Sequence, residues 1–175
     1  HETTAVTLLW ACTLLALSPQ TQAAVAAEAA SAEKPFTRAV IEETLRLYPA
    51  AFVLARRAVG PDVLGGEAVE VGDSVTISPW LLHRHRKLWR DPDAFDPGRF
   101  LPGAPPVPRF AYLPFGAGPR VCIGAAFALT EATLALSRIV GHFRIERADA
   151  RPVLPAAVVT TQPDHAPAFR LTQRI

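Results

Sequence analysis

Seven of the chain's 17 prolines fall between Arg90 and Pro114, in "RDPDAFDPGRFLPGAPPVPRFAYLP". Proline has no N–H and a fixed φ, so neither a helix nor a central strand can run through this stretch. It must be laid down turn after turn, and a loop of that length inside a compact domain is functional or disordered. Phe95, Phe100, Phe110 and Tyr112 within it favour an ordered loop packed by its own aromatic rings.

The loop divides the chain into parts of different character. Before it, a helical pattern from about Glu2 to Leu17 stops at Ser18-Pro19, where Ser18 can cap a second, alanine-rich helix reaching about Ala32. After the break "SAEKPF", apolar Val40, Ile41, Leu45 and Leu47 predict a third helix over Thr37 to Tyr48, ended by Pro49. "AFVLARRAV", a turn at "GPDVLGG" and "EAVEVGDSVTISPWLL" then read as antiparallel hairpins. Beyond the loop, Gly124 opens a long helix to about Val140, and the tail reads as strands and turns. The fold class expected is mainly α with small antiparallel β-sheets, in a single unit covering residues 1–175.

With 175 residues, 50% of them hydrophobic, the chain can bury one sizeable core. The net charge of +2 is scattered, and Lys34 and Lys87 are its only lysines, which argues against a nucleic-acid-binding stripe. There is no methionine and a helical pattern is already under way at His1, so we expect residues upstream. The apolar run Ala5 to Leu17 suggests a signal peptide. It lacks a basic opening, though, and is shorter than the roughly 20 residues of a membrane span. A buried helix is the better reading. Richness in alanine and arginine fits a high-GC bacterial source and a soluble cytoplasmic protein, any membrane anchor lying before His1.

Cys12 and Cys122 are the only cysteines. Cys12 sits on an apolar helix face and reads as a small buried hydrophobe. Cys122 lies in "PFGAGPRVCIG" directly before a helix, where free N–H groups and the helix dipole favour a thiolate. Gly116, Gly118 and Gly124 let the backbone turn tightly with amides aimed at the sulfur, and Arg120 adds a fixed positive charge. Half of a disulfide, a nucleophile and a metal ligand all remain open at this point. A nucleophile needs a histidine base, for which His83, His85 and His142 are nearest in sequence. His83 and His85 otherwise read as surface or packing residues.

The order Phe115-x-x-Gly118-x-Arg120-x-Cys122-x-Gly124 resembles the haem-ligand signature of the cytochrome P450 superfamily. The resemblance implies that Cys122 is the axial thiolate of haem b, that Phe115 packs beside the sulfur and that Arg120 pairs with a haem propionate. "ETLR", Glu43 to Arg46, resembles the Glu-x-x-Arg motif of helix K, and Arg99 in "FDPGRF" resembles the arginine completing a structural Glu-Arg-Arg cluster. "HETT" resembles the end of the oxygen-binding motif on helix I. Glu2 then stands at the acidic position, and Thr3 matches the threonine that helps deliver protons. Arg56 falls where a second propionate-pairing arginine is common, with Arg57 the adjacent candidate. Ala51, Phe52 and Val53 resemble a segment lining the substrate pocket.

The resemblance runs from helix I through J, K, the meander and the cysteine loop to helix L and the closing strands. It covers only the C-terminal part of the family fold. It implies monooxygenation of a small organic substrate by O2, with electrons from a ferredoxin- or flavin-type partner. The rival readings are a haem-binding or inactive remnant without turnover, and a secreted non-enzyme. Departures from the family pattern include a short connector after Ala32, "HRHRKLW" in place of His-Arg-Asp-Pro, and Gly98 where glutamate is common before Arg99.

Overall fold

The computed structural model describes residues 1–174. Four helices meet around one core: α1 (Glu2–Leu17), α2 (Pro19–Glu28), α3 (Pro35–Leu47) and, after the proline-rich loop, a long C-terminal helix, Ala125–His142. Ala11, Leu15, Val25, Val40, Ile41, Leu45, Ala132, Leu136 and Val140 interlock there, and Ile145 of the following strand closes the cluster. α1 is apolar nearly all round, as a helix is when it lies between other elements. Its Trp10 stacks flat on Tyr48, with ring centroids 3.9 Å apart, and its Nε1 donates to Thr161 O at 2.7 Å.

Local chemistry moved several boundaries. Ser18 stands at the start of α2, but its side chain makes no cap bond. α2 ends at Glu28 rather than Ala32, and the Glu28 carboxylate reaches across the break. It accepts from Phe36 N, Thr37 N and Thr37 Oγ1, capping the start of α3 from outside. α3 therefore begins two residues earlier than the apolar periodicity shows, at Pro35, where proline's missing N–H is harmless.

The strands form four separate two-stranded antiparallel sheets. β1 (Leu54–Arg57) pairs with β4 (Ser74–Ile77), and the hairpin of β2 (Asp62–Leu64) and β3 (Glu67–Val69) is nested between them. "GPDVLGG" is thus not all turn. Only Gly65 and Gly66 turn, at φ +60° and +93°, as a two-residue hairpin loop requires. "SPWLL" is not strand: Ser78 Oγ accepts from Leu81 N, and Pro79 opens the short helix α4 (Pro79–Leu82). The long C-terminal helix is accordingly α5.

β5 (Phe143–Arg147) pairs with β8 (Phe169–Gln173), and β6 (Pro155–Ala157) with β7 (Thr161–Pro163). The β6–β7 hairpin is held to the segment after α3 by Thr161 N to Ala50 O and Thr161 Oγ1 to Pro49 O. The proline-rich loop is ordered around Tyr112 and Phe100, whose rings lie 4.9 Å apart, with Trp89 beside both. Phe110 is the exception: it takes a left-handed φ of +64° and points to solvent. Among the described residues, no helix is long and apolar enough to cross a membrane.

Gln22 joins α2 to β5. Its amide donates to Leu15 O and Ile145 O and accepts from Ile145 N, all in the buried interior. Gln22→Ala leaves these groups unpaired and is expected to lower stability by about 3 kcal/mol. Urea unfolding should show the midpoint falling with an unchanged slope.

Candidate functional site

A cavity of about 560 Å³ opens where α1, α3, β1, the cysteine loop and the start of α5 converge. Its floor is apolar, with Ile41, Leu45, Ala50, Leu54, Phe115 and Ala132 among its walls. Its size lies within the roughly 300–1,000 Å³ range of cofactor and small-molecule sites. Cys122, Arg56, Arg120 and Glu131 supply most of its chemistry, and Thr3, Thr4 and Thr7 of α1 line it with His1 just before.

The cysteine loop owes its shape to two glycines. Gly116 and Gly118 sit at φ +74° and +71°, a region that side chains rarely adopt. Gly124 needs no such freedom, with a φ of −86°, but a Cβ there would stand 3.9 Å from Cys122 Sγ, beside the sulfur. Cys122 N donates to Phe115 O at 2.9 Å, closing the loop on itself. Both cysteines are free thiols and Cys122 is exposed, which removes the disulfide reading. Among the described residues no hydrogen bond reaches the Cys122 sulfur from an amide, contrary to the expectation that several would point at it. Cys12 is part-buried against the core, and burial pushes its thiol up to about 11.

Strand alternation separates the two candidate arginines. Leu54 and Arg56 line the cavity, whereas Arg57 faces away, beside Gly72. Thr3 lines the cavity, while the Glu2 carboxylate accepts from Thr160 Oγ1 and Gln162 Nε2 and is off its wall. Of Ala51, Phe52 and Val53, only Ala51 reaches the cavity; the Phe52 carbonyl accepts from Ser78 Oγ. Gly118 shapes the loop without lining the cavity. His83, His85 and His142 are all absent from the wall, so none stands as a base for Cys122.

Beneath the loop lies the charged cluster. Glu43 and Arg46 are completely buried, one turn apart on α3, and pair in a fork: Arg46 Nε to Glu43 Oε2 at 2.7 Å and Nη2 to Oε1 at 2.8 Å. The other Arg46 donors reach His83 O, Pro92 O and Ala94 O, so all five N–H groups are used. Glu43 Oε1 also accepts from Asp96 N and, at 3.4 Å, from Arg99 Nε. Arg99 in turn donates to Asp91 O. Gly98 is explained locally: a Cβ there would meet Asp96 Oδ1 at 2.8 Å, where that carboxylate caps the turn.

The sequence did not single out His83 as more than packing, Leu54 and Glu131 as cavity wall, or Arg84. Arg84 lies over the Trp80 ring at 3.6 Å and bonds Leu47 O; burial lowers its pKa to about 10. Period-two alternation from Arg56 would have pointed to Leu54. His83 is fully buried, and burial pushes its ring down to about 4, with the charges of Arg46 and Arg84 acting in the same direction.

A haem fits what the walls offer: one exposed thiolate-capable sulfur, two arginines suited to carboxylates and an apolar floor for a ring. Among the described residues no group of three or more His, Cys, Asp or Glu comes together. A haem iron would bring its ring's own nitrogen ligands, so the protein would need to supply only the one sulfur.

The family model described as Cytochrome P450 matches residues 1–166. The chain is 43% identical over 157 residues to Cyclooctatin synthase of Streptomyces melanosporofaciens, covering 82% of this chain and 34% of that protein. It is 36% identical over 177 residues to Putative cytochrome P450 132 of Mycobacterium tuberculosis, covering 94% of this chain and 38% of that one. Cytochrome P450 97B2, chloroplastic, of Glycine max is 36% identical over 83% of this chain and 33% of its own length. The chain thus spans about a third of the length of the curated relatives it matches.

Two outcomes are expected. Arg46→Lys loses the fork and most of the loop carbonyls, and should destabilise by about 3 to 5 kcal/mol in denaturant unfolding. His83 has a folded pKa below its unfolded value of about 6.5. Its contribution is therefore complete above pH 6.5 and lost as pH falls through about 4. Unfolding measured between pH 7 and pH 4 should show a steeper loss in the wild type than in His83→Gln.

Proposed function

The chain belongs to the cytochrome P450 family, and from that membership we propose that it is the C-terminal, haem-holding portion of a haem-thiolate monooxygenase. It corresponds to the family fold from the end of helix I through J, K, the meander, the cysteine loop and L. By itself the portion binds haem b and turns over no substrate. The whole protein would insert one oxygen atom of O2 into a small organic substrate, using electrons from a ferredoxin- or flavin-type donor.

The observation that carries this reading is the meeting of Cys122, Arg56 and Arg120 on one apolar-floored cavity. Haem, when bound, supplies the oxygen-activating chemistry. The residues present would do the following. Cys122 ligates through its thiolate and donates electron density. Arg56 and Arg120 pair with the two propionates in forked, charge-assisted bonds. Phe115 holds water off the sulfur, and Gly118 and Gly124 keep the loop turned and the space beside the sulfur clear. Thr3 carries a proton-bearing hydroxyl on the wall, and Glu2 precedes it on α1 as the acidic member, its carboxylate held by Thr160 and Gln162. Ala51, with Phe52 and Val53 behind it, borders the substrate side. Glu43, Arg46 and Arg99 hold the loop in shape.

Absence of turnover by the portion alone is supported by what its own residues leave uncovered. Phe127, on the cavity wall, is 71% exposed, and Val121 and Ile123 on either side of the sulfur also face solvent. A cavity so open cannot exclude water from a reacting centre, which oxygen chemistry needs.

The chain is to be expressed, loaded with haem, reduced and exposed to carbon monoxide, alongside a form carrying any residues the gene encodes before His1. The strongly red-shifted Soret band of a thiolate-ligated ferrous complex is expected, and Cys122→Ser should abolish it. Haem binding by neither form, or the same band in Cys122→Ser, would falsify the assignment. Arg56→Ala and Arg120→Ala should each weaken haem affinity by about tenfold or more in a titration.

A further inference from the structure

His83 is the one histidine buried completely, and both its ring nitrogens are used. Nε2 lies 2.7 Å from Leu113 N, and an N–H donor leaves Nε2 only the accepting role. Nδ1 must then carry the proton, and it faces Arg46 O at 3.2 Å, an acceptor. The tautomer is fixed by its two partners. Arg46 returns the contact, since its Nη1 donates to His83 O at 2.8 Å, so the two residues are tied twice. The ring is also faced by the Arg84 guanidinium and by Tyr112, whose ring centroid is 5.2 Å away. Glu43 stands behind Arg46 in its ion pair.

Leu113 is where the cysteine loop begins. Leu113 O accepts from Gly116 N at 3.2 Å, forming the first turn, and Phe115 O accepts from Cys122 N. A continuous run of bonds therefore leads from Glu43 through Arg46, His83 and Leu113 to the backbone of Cys122. We propose that His83 is a positioning residue for the cysteine loop: its ring links the carbonyl of Arg46 to the amide of Leu113 and so fixes where the sulfur of Cys122 stands. The ring touches neither cavity nor sulfur. It acts through the loop's first residue. The proposal rests on the haem-thiolate reading above.

The test uses the haem-loaded protein expressed from its whole reading frame, with three variants. Gln keeps an acceptor for Leu113 N and a donor for Arg46 O, Asn keeps only a donor short enough for Arg46 O, and Leu keeps neither. The readout is the share of the ferrous carbon-monoxide complex in the red-shifted thiolate form against the unshifted thiol form. His83→Gln is expected to match wild type, while His83→Asn and His83→Leu move the balance toward the thiol form by about tenfold or more. Should His83→Leu fail to fold, the comparison of Gln with Asn decides alone. Equal thiolate shares in Gln and Asn, with the Cys122→Ser control dark, overturn the positioning role and leave the haem-thiolate reading standing. No red-shifted band in wild type overturns both.

Discussion

The buried ion pair of Glu43 and Arg46 is the interaction on which the rest of the structure depends. Taking two charges out of water costs several kcal/mol for each ion, and the loss is offset only when every remaining donor and lone pair finds a partner. Here all five Arg46 donors are used and both Glu43 oxygens accept, and the partners are informative. Beyond the pair itself, they are backbone groups at His83, Pro92, Ala94 and Asp96, with the Arg99 side chain as the one addition. A charge pair in the last turns of α3 thereby organises a proline-rich loop some fifty residues further on, which has little regular hydrogen bonding of its own. The aromatic set of Trp89, Phe100 and Tyr112 fills the space beside it.

That loop in turn supports the cavity. It delivers Leu113 to His83 and Phe115 to the core, so the cysteine loop starts from a fixed point. The opposite wall comes from α1 and from the segment after α3, held down by Thr161 and by the stack of Trp10 on Tyr48. Cofactor chemistry of the kind proposed asks for a sulfur at a set distance from two arginines. Arg120 and Cys122 share one loop, and packing brings Arg56, on β1 far away in sequence, to the same cavity.

Much of this could be read in the chain beforehand, for reasons that differ by element. The helices announced themselves through apolar spacing, and the cysteine loop through its glycines, because both signals are local. Boundaries were less legible where a distant or off-pattern side chain set them, as Glu28 does for α3 and Ser78 for α4. The choice between Arg56 and Arg57 became clear only from strand facing. Phe110 looked like loop filler but turned outward. His83 was legible only as packing, since its two bonds run to residues 37 and 30 positions away and have no local pattern.

The partners of Arg46 carry one more consequence. In the loop it grips carbonyl oxygens, and every amino acid has one. The grip therefore constrains the path of the loop more than the identity of its side chains, apart from Asp96, Arg99, the aromatic rings that pack and the prolines that bend it. "HRHRKLW" and Gly98 can depart from the usual family residues without disturbing the grip. Arg46 has no such latitude, because no other side chain offers five donors in a fixed fork. Within one module, tolerance of side-chain change and rigidity are divided between the gripped run of turns and the single residue that holds it.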